Sequence, residues 1–115
     1  MSAPIVFLDI AGPDDEALRR FYRDVFDWNA GDDGQLHLEV RTPLLANIRK
    51  DPAEKRVYIG VEDVTATLDA VVSAGGSVDA PRFEVPGVVV LGLFRDPAGN
   101  PMGLVEMENG EAKVP

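Results

Sequence analysis

The first apolar run, Ile5 to Ile10 (IVFLDI), mixes β-branched and aromatic residues, is too short for a helix and runs into Gly12-Pro13. These features predict a strand that stops at the glycine. From Pro13 the period changes: Leu18, Phe21, Tyr22, Val25 and Phe26 fall at i, i+3, i+4, i+7 and i+8, one face of a helix. Pro13 suits the first helical position, and Asp14, Asp15 and Glu16 place negative charge at the positive end. Trp28 to Ala30 reads as a short strand ahead of the Gly31-Asp32-Asp33-Gly34 turn. Leu36, Leu38 and Val40 then alternate with His37, Glu39 and Arg41, which predicts a half-buried strand. Leu44 to Arg49 forms a further strand between the Thr42-Pro43 and Asp51-Pro52 breaks. The first half therefore reads as βαβββ.

The second half repeats the plan. Val57 to Val61 (VYIGV) is a strand, Asp63 a helix N-cap, and Val64, Leu68, Val71 and Val72 one helical face, stopped by Gly75-Gly76. Ser77 to Ala80 and Phe83 to Val85 are short extended segments; Val88 to Arg95 and Met102 to Met107 are strands joined through Asp96-Pro97-Ala98-Gly99-Asn100. Setting Val6 on Val57 also brings Leu18 against Leu68 within one residue, so the chain reads as two copies of one module, about 4–50 and about 55–108. Neither copy covers its sheet face alone, and the two are expected to pack as one domain over residues 1–115. The polar tail after Glu108 is expected to fray.

Composition narrows the function classes. The chain has 115 residues and a formal net charge of −9, which repels nucleic acid and anionic membranes alike. No apolar run approaches the roughly 20 residues needed to cross a bilayer. There is no cysteine, which excludes disulfides, thiolate nucleophiles and cysteine metal sites. The N-terminus lacks a basic segment leading into a long apolar one, so a cytoplasmic location is the expectation.

Three stretches carry a resemblance: FLDIAGPDDEALRRFYRDVFDW, then YIGVEDVTATLDAVVSAGG, then LFRDPAGNPMGLVE. In this order and spacing the chain resembles the glyoxalase/bleomycin-resistance/extradiol-dioxygenase superfamily, the vicinal oxygen chelate proteins. The resemblance implies an α+β fold in which two βαβββ modules form a curved mixed sheet with an open cup, helices on the convex side and a ligand inside. It also implies homodimers, with Trp28 and the Val85 to Leu91 hairpin as interface parts. Active members hold a divalent metal with His, Gln or Glu on the first and fourth strands of each module. Here those positions fall on Ile5 or Phe7, on Leu45 to Asn47, on Arg56 and on Gly103. Arginine has no lone pair to offer and glycine no side chain, so neither a bound metal nor any other cofactor is expected.

Alternation places Val57, Ile59 and Val61 toward the helices and puts Phe7, Asp9, His37, Glu39, Arg56 and Tyr58 in the cup as the ligand-binding set. Phe7 and Tyr58 could clasp a flat ligand, or plug the cup themselves. Arg56 could hold a carboxylate, or pair with Asp9 or Glu39 across strands. Three roles follow. One is binding or sequestering a small organic molecule without metal. The second is a metal-independent lyase or isomerase in which His37 or Glu39 moves a proton. The third is a structural protein with a filled cup. The −9 charge favours a cationic ligand and Arg56 an anionic group, and the sequence leaves that choice open.

Overall fold

The computed structural model describes residues 7–115. Ile5 and Val6, which open the first expected strand, lie outside the described residues. Helix α1 spans Asp15–Phe26; its N-cap Asp14 accepts from the Ala17 amide at 3.0 Å, and Asp27 closes it in the left-handed region at φ 59°. The expected start at Pro13 thus moves by two residues, because the Asp14 side chain supplies the cap. Strand β1 is Val57–Val61, and helix α2 is Val64–Ser73, capped by Asp63 on the Ala66 amide at 2.9 Å. Strands β2 (Ser77–Val85), β3 (Val89–Arg95), β4 (Pro101–Glu108) and β5 (Glu111–Ala112) complete the set.

The sheet runs β1-β4-β3-β2, with β1 parallel to β4, the other pairs antiparallel and β5 on β4. Two helices and a five-stranded mixed sheet make the α+β class that the sequence predicts. The two extended pieces expected between Ser77 and Val85 are one strand, with irregular register between Val78 and Phe83. The tail does not fray: Asn109 and Gly110 both take positive φ, 54° and 78°, and fold β5 back onto β4. Asn-Gly is a strong two-residue hairpin signal, and the polarity of the tail concealed it.

Burial along β3 alternates strictly. Val90, Gly92 and Phe94 face the helices; Val89, Leu91 and Leu93 face away. Leu18, Phe21 and Tyr22 of α1 and Val64, Leu68 and Val71 of α2 close on Phe94, Met102 and Leu104, and Ile59 and Val61 pack at the border. Gly92 is required here, since a Cβ would stand 2.6 Å from Val64 Cγ1.

The first half departs from expectation. Residues 7–10, 28–30, 35–41 and 44–49 hold no strand, so five strands stand among the described residues where eight were expected. Among the described residues β4 pairs with β1, β3 and, at its end, β5, and with none of the first-half segments, and the apolar side chains that would have to be buried remain outside: Leu45 is 82% exposed and Ile48 fully so. Without a ladder partner or burial, nothing offsets the entropy of extending these segments. The half is tied on elsewhere. Buried Asp96 accepts from Tyr22 Oη at 2.9 Å, from the Ala98 and Asn100 amides at 3.0 and 2.9 Å, and from Asn100 Nδ2 at 2.8 Å; Asn100 Nδ2 also reaches the Ala11 carbonyl at 3.0 Å. The Asp96–Asn100 turn is thus a structural lock, and burial together with the neighbouring carboxylate pushes the Tyr22 hydroxyl well above its usual pKa. Trp28 stacks on Tyr22 with centroids 5.3 Å apart and is half-buried.

Candidate functional site

The parallel β1–β4 pair sets Tyr58 opposite Gly103 and Gly60 opposite Val105 on the face away from the helices. The Tyr58 ring lies over Gly103: a Cβ added there would stand 2.4 Å from Cδ2 and Cε2. Met107 covers Gly60 in the same manner, its Cγ 3.0 Å from where a Cβ would be. Each glycine is a seat for a large neighbour, and the result is an apolar floor of Tyr58, Val105 and Met107. Tyr58 remains 43% exposed, so the ring seated on the backbone keeps much of its surface open to solvent.

Segments 7–12 and 32–46 of the first half form the opposite wall of a groove over this floor. Its space, about 2710 Å³, exceeds the few hundred to about 1,000 Å³ of an ordinary ligand pocket, so it is a broad cleft. Arg41 fastens the wall to the β4–β5 turn, donating to the Gly110 carbonyl at 2.9 Å and to Glu111 Oε2 at 2.6 Å.

Five of the six residues expected to bind ligand line this cleft: Phe7, Asp9, His37, Glu39 and Tyr58. Phe7 is 77% exposed, so it does not plug the cleft. The sixth, Arg56, is elsewhere. Its side chain is 6% exposed; Nη1 donates to the Met102 carbonyl at 2.7 Å, and Nη2 to Glu54 Oε1 at 2.7 Å and Asp79 Oδ2 at 3.4 Å. Arg56 is therefore a staple between the start of β1, β4 and the acids of the linker and β2. The ion pair expected with Asp9 or Glu39 is replaced by one with Glu54 and Asp79, because Arg56 precedes the first ladder pair and its long side chain turns under the end of the sheet. Sequence reasoning also missed Val105, Met107 and the role of Gly60. The available signal was a glycine inside each of two expected strands, Gly60 and Gly103.

The arrangement bears directly on the metal position. Gly103 brings no donor, its space is filled by the Tyr58 ring, and Arg56 brings a fixed cation already engaged by two carboxylates. Among the described residues no three His, Asp or Glu side chains converge as metal ligands. The residues present do not fit a divalent cation there. The other buried carboxylate, Glu106, points to the helix side, where it accepts from Arg82 Nε and Nη2 at 3.0 and 2.9 Å and from the Val64 amide at 3.1 Å. Arg82, opposed by partial burial and helped by the Val64 amide, holds it at a pKa of about 2. Ionised and fully engaged, it takes the first amide of α2 beside the Asp63 cap and ties that helix end to Arg82 of β2.

Residues 5–105 match the model of the Glyoxalase-like domain family. "Putative glyoxylase CFP32" of Mycobacterium bovis and of Mycobacterium tuberculosis is 27% identical over 113 residues, covering 85% of this chain and 43% of theirs. The chain thus spans less than half the length of these curated relatives. Among solved structures, a glyoxalase-related enzyme from Fulvimarina pelagi superposes with a TM-score of 0.68 at 16% identity, covering 97% of this chain and 96% of that one. A glyoxalase/bleomycin resistance protein/dioxygenase from Nocardioides gives 0.58 at 13% identity, over 100% and 91%. These identities establish the fold alone, and no helix among the described residues is long and apolar enough to cross a membrane. With the family model spanning nearly all of it, the chain belongs to the Glyoxalase-like domain family.

Proposed function

We propose that this protein binds a small organic molecule in the cleft over β1 and β4, without a metal, and acts by holding that molecule. The observation that carries the reading is the Tyr58 ring seated on Gly103. At the place where metal-dependent relatives present a donor, this chain presents an open aromatic face flanked by Val105 and Met107. Phe7, Asp9, His37 and Glu39 supply the polar and aromatic wall, and Arg56 keeps the register that sets Tyr58 on its glycine. Residues 1–115 act as one domain, with modules at about 4–50 and 55–108. The outer edge of β1 has no strand neighbour among the described residues, which supports a homodimer that covers this edge. A cytoplasmic location suits the absence of cysteine.

A thermal-shift screen of metabolites and drugs in excess chelator tests the reading. A hit should raise the melting temperature by mass action, be unaffected by chelator, and lose roughly tenfold or more in affinity in Tyr58→Ala. A hit whose affinity disappears with chelator, or is unchanged in Tyr58→Ala, overturns it.

A further inference from the structure

The cleft has a charge pattern of its own. Its lining includes three arginines, and each is already neutralised: Arg19 by Asp15 at 3.2 Å, Arg23 by Asp24 at 3.0 Å and Arg41 by Glu111 at 2.6 Å. The wall segments add four lining carboxylates, Asp9, Asp32, Asp33 and Glu39, none with an arginine or lysine partner among the described residues. Arg56, the cation that the sequence would have placed in the cup, lies under the sheet end with Glu54 and Asp79. The conflict between an acidic chain and a basic site residue is thereby removed, since the wall is negative and the floor is an open tyrosine ring.

We infer that the occupant of the cleft is a planar aromatic cation, stacked on the free face of Tyr58 and held by the acidic wall. The inference rests on the binding role proposed above and names its ligand class. Two independent contacts favour the same sign of charge. An aromatic face attracts a cation through its quadrupole. A cleft lined by one sign of charge raises the local concentration of the opposite ion. A planar anion meets both effects with the wrong sign. A neutral planar molecule keeps only the apolar contact with Tyr58, Val105 and Met107.

Three planar probes of one shape separate these cases at pH 7.5: 10-methylacridinium as the cation, acridine as the neutral ring and acridine-9-carboxylate as the anion. Each is titrated into the isotopically labelled protein while the amide signals of Tyr58, Gly103 and Val105 are followed. The cation should shift these amides and bind about tenfold more tightly than acridine in about 20 mM salt, with the carboxylate weakest. Its advantage should fall to about threefold or less near 500 mM salt, where exposed charges are screened. Asp9→Asn/Asp32→Asn/Glu39→Gln, three exposed changes that leave the core untouched, should weaken the cation and leave acridine as it was. Equal or tighter binding of acridine or its carboxylate at the same amides overturns the charge class while the binding role stands. If none of the three probes moves these amides, the planar cation is overturned, and the binding role is judged by the metabolite screen alone.

Discussion

The two halves of the chain start from the same sequence plan and end differently. Residues 57–112 form every expected element, with a strictly alternating β3 and a core in which Val64, Val71, Val90, Phe94 and Leu104 have no exposed surface. Residues 7–56 form one helix and a set of unpaired segments outside helix and strand that carry exposed Leu44, Leu45 and Ile48. Alternation is a property of a segment, whereas a strand is a property of a pair. In the second half β2, β3, β4 and β5 each find a neighbour within a few residues, through the Gly87 turn, the Asp96 turn and the Asn109-Gly110 turn, and β1 alone pairs at long range, parallel to β4. The first half has only the free edges of β1 and β2, or a second copy, to pair with.

The most forceful way to break this contrast is to cut the core. Phe94→Ala should lower the unfolding free energy by roughly 3–5 kcal/mol, whereas Ile48→Ala should change it by less than about 0.5 kcal/mol, both read from denaturant midpoints. A cost above 1 kcal/mol at Ile48 would mean that the first half is packed after all, for instance against a second copy.

Next in size is Glu106. Its pKa falls from 4.5 to about 2 on folding, so its contribution is present in full above the unfolded value and is lost as the pH drops from about 4.5 toward 2. Glu106→Gln should cost on the order of 2 kcal/mol at pH 7 and flatten the loss of stability with acid in that window. Unfolding curves measured from pH 7 to pH 2 on both proteins would expose a slope that survives the substitution. That result would place the acid-sensitive group elsewhere.

The smallest expected effect concerns the floor. Gly103→Ala drives a methyl into the Tyr58 ring and should cost roughly 1–3 kcal/mol. The penalty should largely vanish in Tyr58→Ala/Gly103→Ala, a coupling that a double-mutant cycle reads directly. Additive costs would show that the ring leaves its seat freely.

Much of the fold was legible because it rests on local chemistry. Asp63 announces the start of α2, Pro13 and the acids after it mark that of α1 to within two residues, and the period-3.6 face from Leu18 to Phe26 matches the buried Leu18, Phe21 and Tyr22. The side of the sheet occupied by Tyr58 was legible from the alternation of VYIGV. The fate of Arg56 was not, because a long side chain ahead of the first ladder pair follows its acceptors, here the Met102 carbonyl and Glu54, and not the pleat. The unpaired first-half segments were illegible for a related reason, since a repeat in sequence carries no information about which edges remain free. The floor glycines were visible as residues, but their purpose as seats appears only when β1 and β4 are side by side.

Asp96 joins groups far apart in the chain, accepting from Tyr22 across 74 residues while organising its own turn locally. The local bonds to Ala98 and Asn100 can form as soon as the β3–β4 hairpin does, within microseconds. The Tyr22 bond has to wait until a long loop has closed, and that closure is entropically costly. The carboxylate is therefore prepared early and engaged late. On that order of events the docking of α1 is the step that takes the carboxylate out of water.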